Sequence, residues 1–229
     1  ELAKQKAAEA EERTRSSKAP VLAQKGEIAN TIDNDSATPY KGTEKWRKMG
    51  YTSAAEAEKA YSAVEAYTGM SFENIRSAQY KQAIANGWKP SEYHKTSVSA
   101  FESIGKARQT TNTLQASLIQ DFLERAPKYG EPVARSIGLQ SREEVMEFIS
   151  RMQNDASLRA ITSFSDDIDY ASFFGDQFGN HVVVMKLAKP KSGVPITSLN
   201  QLGESEVLFP AGARLSRGAG GTGGAAAGG

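Results

Sequence analysis

The sequence predicts an α+β fold, with several helices ahead of a run of strands rather than alternating with them. Two capping boxes, Ser53-x-x-Glu56 and Ser141-x-x-Glu144, each open an amphipathic stretch. From Pro132 onward, short segments rich in valine, isoleucine and phenylalanine read as strands. At 229 residues, 39% apolar and 24% charged, the chain has the ordinary balance of one medium globular domain with appendages.

Residues 1 to about 18 (ELAKQKAAEAEERTRSSK) are rich in alanine and mixed charge. They lack a wide apolar stripe, so an exposed or partner-dependent helix is expected. Residues 19 to 50, with Pro20, Gly26, Asn34, Asp35, Pro39 and Gly42, read as a linker or extended arm. Ser53 then opens a helix with Ala57, Tyr61 and Val64 on one face, which Gly69 stops. A second helix is expected from Phe72 to about Asn86, ended by Gly87. From Ser99 to about Glu124, Leu114, Leu118, Ile119 and Phe122 make the stripe of a third. Ser141 opens a fourth, carrying Val145, Phe148, Ile149 and Met152. Strands are expected over 132–139, 159–165, 181–188 and 204–210, with a short helix in IDYASFF after the turn at Asp166-Asp167. The glycine tail beyond Arg217 cannot bury a core and is expected to be disordered.

Composition excludes several chemistries. There is no cysteine, so disulfides, thiolate nucleophiles and cysteine-ligated zinc are out. His94 and His181 are too few and too far apart for a metal site or a triad; a surface place for His94 and a strand end for His181 are expected, and no metal. A net charge of +1 gives no reason to invoke nucleic acid or an anionic membrane as partner, and no apolar run approaches the roughly 18 residues that span a bilayer. The sequence GAGGTGG has no strand before it and no helix after it, so it is a poor phosphate loop. Trp46 and Trp88 flank helices and read as packing residues. Lys186, Lys189 and Lys191 around Pro190 read as a solvated basic turn. The opening at Glu1 reads as a fragment or a processed product.

Three segments carry candidate chemistry. Glu204-Ser205-Glu206 lies in QLGESEVLFP, where alternation puts both carboxylates on one side about 6 to 7 Å apart, with Val207 and Phe209 opposite. Such a pair suits a site where one carboxylate stabilises a developing cation and the other handles a proton or a cationic substrate. It also occurs on the solvent face of an edge strand. Ser163 and Ser165 share a strand face, with Phe164 on the other. Arg135 stands among Val133, Ala134 and Ile137; alone, such an arginine can simply snorkel to the surface.

Taken in order, arginine on a first strand, Ser-x-Ser on a second and Glu-x-Glu on a third resemble the signature of mono-ADP-ribosyltransferases, in the branch of cholera toxin and the actin-modifying binary toxins. Phe174, eleven residues after Ser163, stands where that family has an aromatic residue, and Ala171 matches the small residue three before it. Tyr67-Thr68 matches the family's helical Tyr-Thr, and GVPITSLNQLGESEVLFPAGARL looks like its recognition loop and catalytic strand. The similarity runs from about Tyr51 to about Arg217. Departures are Arg76 where asparagine is usual (Asn74 stands two before), Gln79-Tyr80 in place of Leu-Arg, and Phe164 in place of threonine. They put the adenosine-side contacts in doubt.

The resemblance implies a β-sandwich core of the ADP-ribosyltransferase type beneath a helical N-terminal layer. Residues 46–217 would form the catalytic domain, between the charged helix and arm at 1–45 and the tail at 218–229. NAD⁺ would be the co-substrate, and ADP-ribose would pass to an arginine of a target protein. Glu206 would stabilise the cation, Ser163 would hold Glu206, and Arg135 would contact the phosphate or nearby ribose. Phe174 would stack on nicotinamide, Ser165 and Tyr67 would complete the NAD⁺ site, and Glu204 would orient the acceptor. A monomer acting in the cytoplasm of a target cell is expected. Alternatives are an NAD⁺ glycohydrolase and a non-enzymatic virion or secretion-associated protein with a vestigial transferase fold.

Overall fold

The computed structural model describes residues 45–171, 179–197, 199–200 and 205–215. The predicted N-terminal helix, nearly all of the arm, the glycine tail, Phe174 and Glu204 lie outside the described residues. Helices come first: α1 (Lys45–Lys48), α2 (Ala54–Ala66), α3 (Phe72–Ala85), α4 (Glu92–Ser103) and α5 (Lys106–Arg125). The strands β1 (Val133–Leu139), β2 (Thr162–Ser165), β3 (His181–Leu187), β4 (Val194–Pro195) and β5 (Glu206–Phe209) follow, with α6 (Arg142–Asn154) between the first two. This is the expected α+β order.

Both capping boxes form. Ser53 Oγ accepts the Glu56 N–H at 3.2 Å, and Glu56 Oε2 takes the Thr52 N–H at 2.8 Å. Ser141 Oγ accepts the Glu144 N–H at 3.2 Å, while Glu144 Oε2 takes the Gln140 N–H at 2.8 Å. Each carboxylate reaches the residue before the N-cap, so two amides are satisfied at each helix start. Gly69 ends α2 by a kink. Tyr67–Ser71 make one π-helical turn in which Gly69 leaves helical geometry (φ −92°, ψ −134°), and α3 begins at once.

Two sequence expectations need correction. The helix foreseen from Ser99 to about Glu124 is two helices, because Ile104 and Gly105 turn extended (ψ 153° and 145°) between α4 and α5. Both pieces carry apolar faces, Val98 and Phe101 in one and Ile119 and Phe122 in the other, so periodicity runs on through the break. His94 is half-buried rather than free on the surface. Its ring lies against Tyr80 (4.6 Å), Trp88 (4.8 Å) and Tyr93 (5.2 Å), and its Nδ1 pairs with Ser91 Oγ at 2.7 Å.

The strands pair antiparallel in the order β3-β1-β2-β5-β4. Seven register pairs join β3 to β1, and four join β2 to β5. Between β1 and β2 the register has a single pair, Ala134 opposite Ser165. The five-stranded sheet therefore narrows to one register pair between β1 and β2. Alternation along β5 assigns its faces. Leu208 enters the cluster formed with Tyr61, Val64, Ile75, Ile119 and Phe122 of the helical layer. Val207 and Phe209 join Val133, Leu158 and Phe164 on the other side. Within the helical layer Tyr61 stands edge-on to Tyr51 at 6.3 Å and to Phe122 at 5.9 Å. Such aromatic pairs each add about 0.5–1.5 kcal/mol beyond the area they bury.

Candidate active site

The strand order puts the predicted residues side by side. Arg135 is on β1, Ser163 and Ser165 on β2, and Glu206 on β5, which are three consecutive strands of the sheet. β5 is paired on both flanks, to β2 and to β4. Glu206 thus does not lie on an edge strand, and the solvent-face reading of the glutamates fails for it. Arg135 does not snorkel either. It follows the lone β1–β2 pair by one residue, and its Nη1 donates to the Ser163 carbonyl at 2.8 Å.

Glu206 lies directly opposite Ser165, and Ser163 opposite Leu208. Asn200 Nδ2 donates to Glu206 Oε2 at 2.6 Å. Ser165 Oγ donates to the Ser205 carbonyl at 3.0 Å and accepts the Asp167 N–H at 3.1 Å, so it fastens the start of β5 to the end of β2. Asp167 caps the short helical turn at 168–171, with its Oδ1 accepting the Tyr170 N–H at 2.8 Å. Ala171, the last described residue of that turn, is buried, with its carbonyl accepting from Ser136 Oγ of β1.

The helical layer contributes Tyr67, which is buried and donates from its hydroxyl to the Ile161 carbonyl at 3.1 Å. Burial pushes its phenol above the usual range. The guanidinium groups of Arg76 and Arg135 and a hydrogen bond with the Ser163 side chain oppose that rise, and Glu206 adds to it. One tyrosine therefore feels all four groups. Burial lowers the Arg135 guanidinium from its usual range, and the positive charge of Arg76 lowers it further. Arg76, on α3, donates from Nη2 to the Tyr80 hydroxyl at 2.6 Å, while its buried Nε has no hydrogen-bond partner among the described residues. Among the described residues no carboxylate forms an ion pair with Arg76 or Arg135. Two half-buried cations that feel each other, with no carboxylate partner among the described residues, repel, and the arrangement suits an anion that bridges them.

Sequence reading missed Asn200 and Asp166 and treated Arg76 only as a departure. No pattern marked Asn200, which stands in a loop. Asp166 was read as turn chemistry, yet its carboxylate accepts from Ser205 Oγ and, at 3.2 Å, from the Tyr129 hydroxyl. Phe174 and Glu204 lie outside the described residues. Among the described residues no group of three or more His, Asp or Glu side chains is placed to hold a metal.

No protein-family model matches the sequence, and no curated protein matches it. Solved structures do. Vis toxin, an ADP-ribosyltransferase from Vibrio splendidus, is similar with a TM-score of 0.54 at 16% identity, over 87% of this chain and 78% of that one. Vis in complex with the M6 inhibitor gives 0.55 at 15% identity, over 86% and 75% of the two chains. Vis in complex with agmatine gives 0.53 at 16%, over 84% and 74%. The fold is that of an ADP-ribosyltransferase.

Proposed function

We propose that the chain moves ADP-ribose from NAD⁺ to an arginine side chain of a target protein, releasing nicotinamide. One observation carries the reading: Arg135, Ser163 and Glu206 stand on three neighbouring strands beneath Tyr67, within a fold shared with ADP-ribosyltransferases. Breaking the bond between nicotinamide and ribose develops positive charge at the anomeric carbon. A catalyst for that step needs a fixed negative charge beside the carbon and a cationic anchor for the diphosphate.

Glu206 takes the first role. Asn200 grips one of its oxygens at 2.6 Å and so orients the carboxylate before substrate arrives. Ser163, from the neighbouring strand, helps to hold it. Arg135 and Arg76 take the second role, since among the described residues Arg76 Nε has no hydrogen-bond partner and neither guanidinium has a carboxylate partner, which leaves donors for phosphate oxygens. Ser165 fixes the backbone at Ser205. Phe174 stacks on nicotinamide, and Glu204 forms a forked pair with the incoming guanidinium. The Vis complex with agmatine, a guanidinium compound, supports that acceptor.

Labelled NAD⁺ incubated with the chain and a cell lysate tests this. The expected result is a labelled protein band that is lost with Glu206→Gln, and whose linkage has the hydroxylamine lability of an arginine adduct. Glu204→Gln is expected to spare NAD⁺ hydrolysis more than transfer. Free ADP-ribose without labelled protein would reassign the chain as a glycohydrolase. No NAD⁺ binding by calorimetry would make it a non-enzymatic protein.

A further inference from the structure

Ser205, between the two glutamates, is held from both of its polar ends. Its carbonyl accepts from Ser165 Oγ at 3.0 Å, and its side chain, 4% exposed, donates to Asp166 Oδ1. The second Asp166 oxygen accepts from the hydroxyl of Tyr129, which is itself fixed by its N–H donating to the Gly193 carbonyl at 2.8 Å. The carboxylate thus ties the segment before β1 and the end of β2 to the start of β5. A serine fastened at carbonyl and hydroxyl by consecutive residues has little freedom about its own backbone, and Glu206 leaves that backbone next.

Carboxylate chemistry is suited to this place. Both oxygens accept, so two hydroxyl donors are satisfied at once, whereas an amide would offer one acceptor and one donor. Burial works against the charge and raises the Asp166 carboxyl from its usual range, and Asp167 adds to that. The hydrogen bonds from Ser205 and Tyr129 oppose it. A half-buried acid with a desolvation cost, held by the hydroxyls of Ser205 and Tyr129, reads as a structural clamp with a purpose.

We propose that Asp166 is a positioning residue, which sets the direction of the Glu206 carboxylate by locking Ser205. The kinetic part rests on the transfer reaction proposed above; the structural part does not. Asp166→Ala is expected to lower kcat for NAD⁺ cleavage about tenfold to a hundredfold, the cost of a misplaced catalytic group, while NAD⁺ KM changes less than about twofold. Ser205→Ala should reproduce most of the loss, and the double variant should be no worse than Asp166→Ala, which already cuts the Ser205 bond along with that of Tyr129. Asp166→Asn, which keeps one acceptor, should recover part of the rate and serves if the alanine variant does not fold. Hydrogen exchange supplies the independent arm: amides of residues 206–209 should exchange faster in the variants while those of α2 and α5 do not change. A raised KM at unchanged kcat, additive losses, or unaltered exchange at 206–209 would each overturn the clamp. If wild type shows no NAD⁺ cleavage, the reaction is wrong, and the exchange result still decides whether Asp166 holds Ser205.

Discussion

Glu206 sits directly across from Ser165 in the β2–β5 ladder, and its own carbonyl accepts the Ile196 N–H at 2.9 Å on the other flank. Its backbone is therefore braced from both sides, and substitution of the side chain leaves the strand intact. Glu206→Gln keeps an oxygen for Asn200 and removes only the charge. Transfer from labelled NAD⁺ is expected to fall about a hundredfold to a thousandfold, the range found when one electrostatic stabiliser is removed. The melting temperature should shift by no more than about 2 °C.

Arg135→Lys keeps the charge and loses the fork. A lysine ammonium is a point charge that cannot hold the Ser163 carbonyl and present a second N–H with the same geometry. NAD⁺ KM is expected to rise about tenfold or more, equivalent to about 1.4 kcal/mol. Urea unfolding should show a loss of about 1.5–3 kcal/mol, the scale of one hydrogen bond to a charged donor.

His94 predicts a pH dependence. Burial, then the charges of Arg151 and Arg76, push its imidazole from 6.5 down to about 4. The unfolded chain takes up this proton near pH 6.5, while the folded chain waits until about 4. The contribution is whole above pH 6.5 and is lost as the pH falls to about 4. With the ring's partial exposure allowed for, the loss is on the order of 2 kcal/mol. Denaturant titrations at both pH values should show this difference for wild type, and Phe in place of His94 should flatten it.

Gly193 has no room for a side chain. A Cβ there would lie 2.8 Å from Phe209 Cζ and from Val207 Cγ1, both deep in the sheet's second apolar cluster. Gly193→Ala is expected to cost about 1–3 kcal/mol by forcing those side chains off their rotamers. Thermal unfolding followed by circular dichroism reads the loss.

Much of this architecture could be read along the chain. Ser53 and Ser141 announce their helices because a cap is a local device, decided within four residues. The faces of β5 follow from alternation, so Val207 and Phe209 were legible as buried. What pattern alone could not supply was adjacency: nothing local says that the strand of Arg135 lies beside that of Ser163, and only the resemblance suggested it. β4 escaped because Val194–Pro195 is too short to alternate. Asn200 and Asp166 escaped because their partners, Glu206, Ser205 and Tyr129, are met through the tertiary fold. His94 was misplaced although Ser91 stands one helical turn before it and Tyr93 beside it, because Tyr80 and Trp88 come from elsewhere.

The lone Ala134–Ser165 pair makes the join of β1 and β2 a seam, stitched by one register pair, the Arg135 guanidinium, the Ser136–Ala171 hydrogen bond and the packing of Val133 against Phe164. Each side keeps its own longer ladder, seven pairs between β3 and β1 and four between β2 and β5. Warming or dilute denaturant should therefore weaken grip on a dinucleotide before any helix or strand is lost, and a covalent staple across the seam should protect binding more than it raises the temperature of collapse.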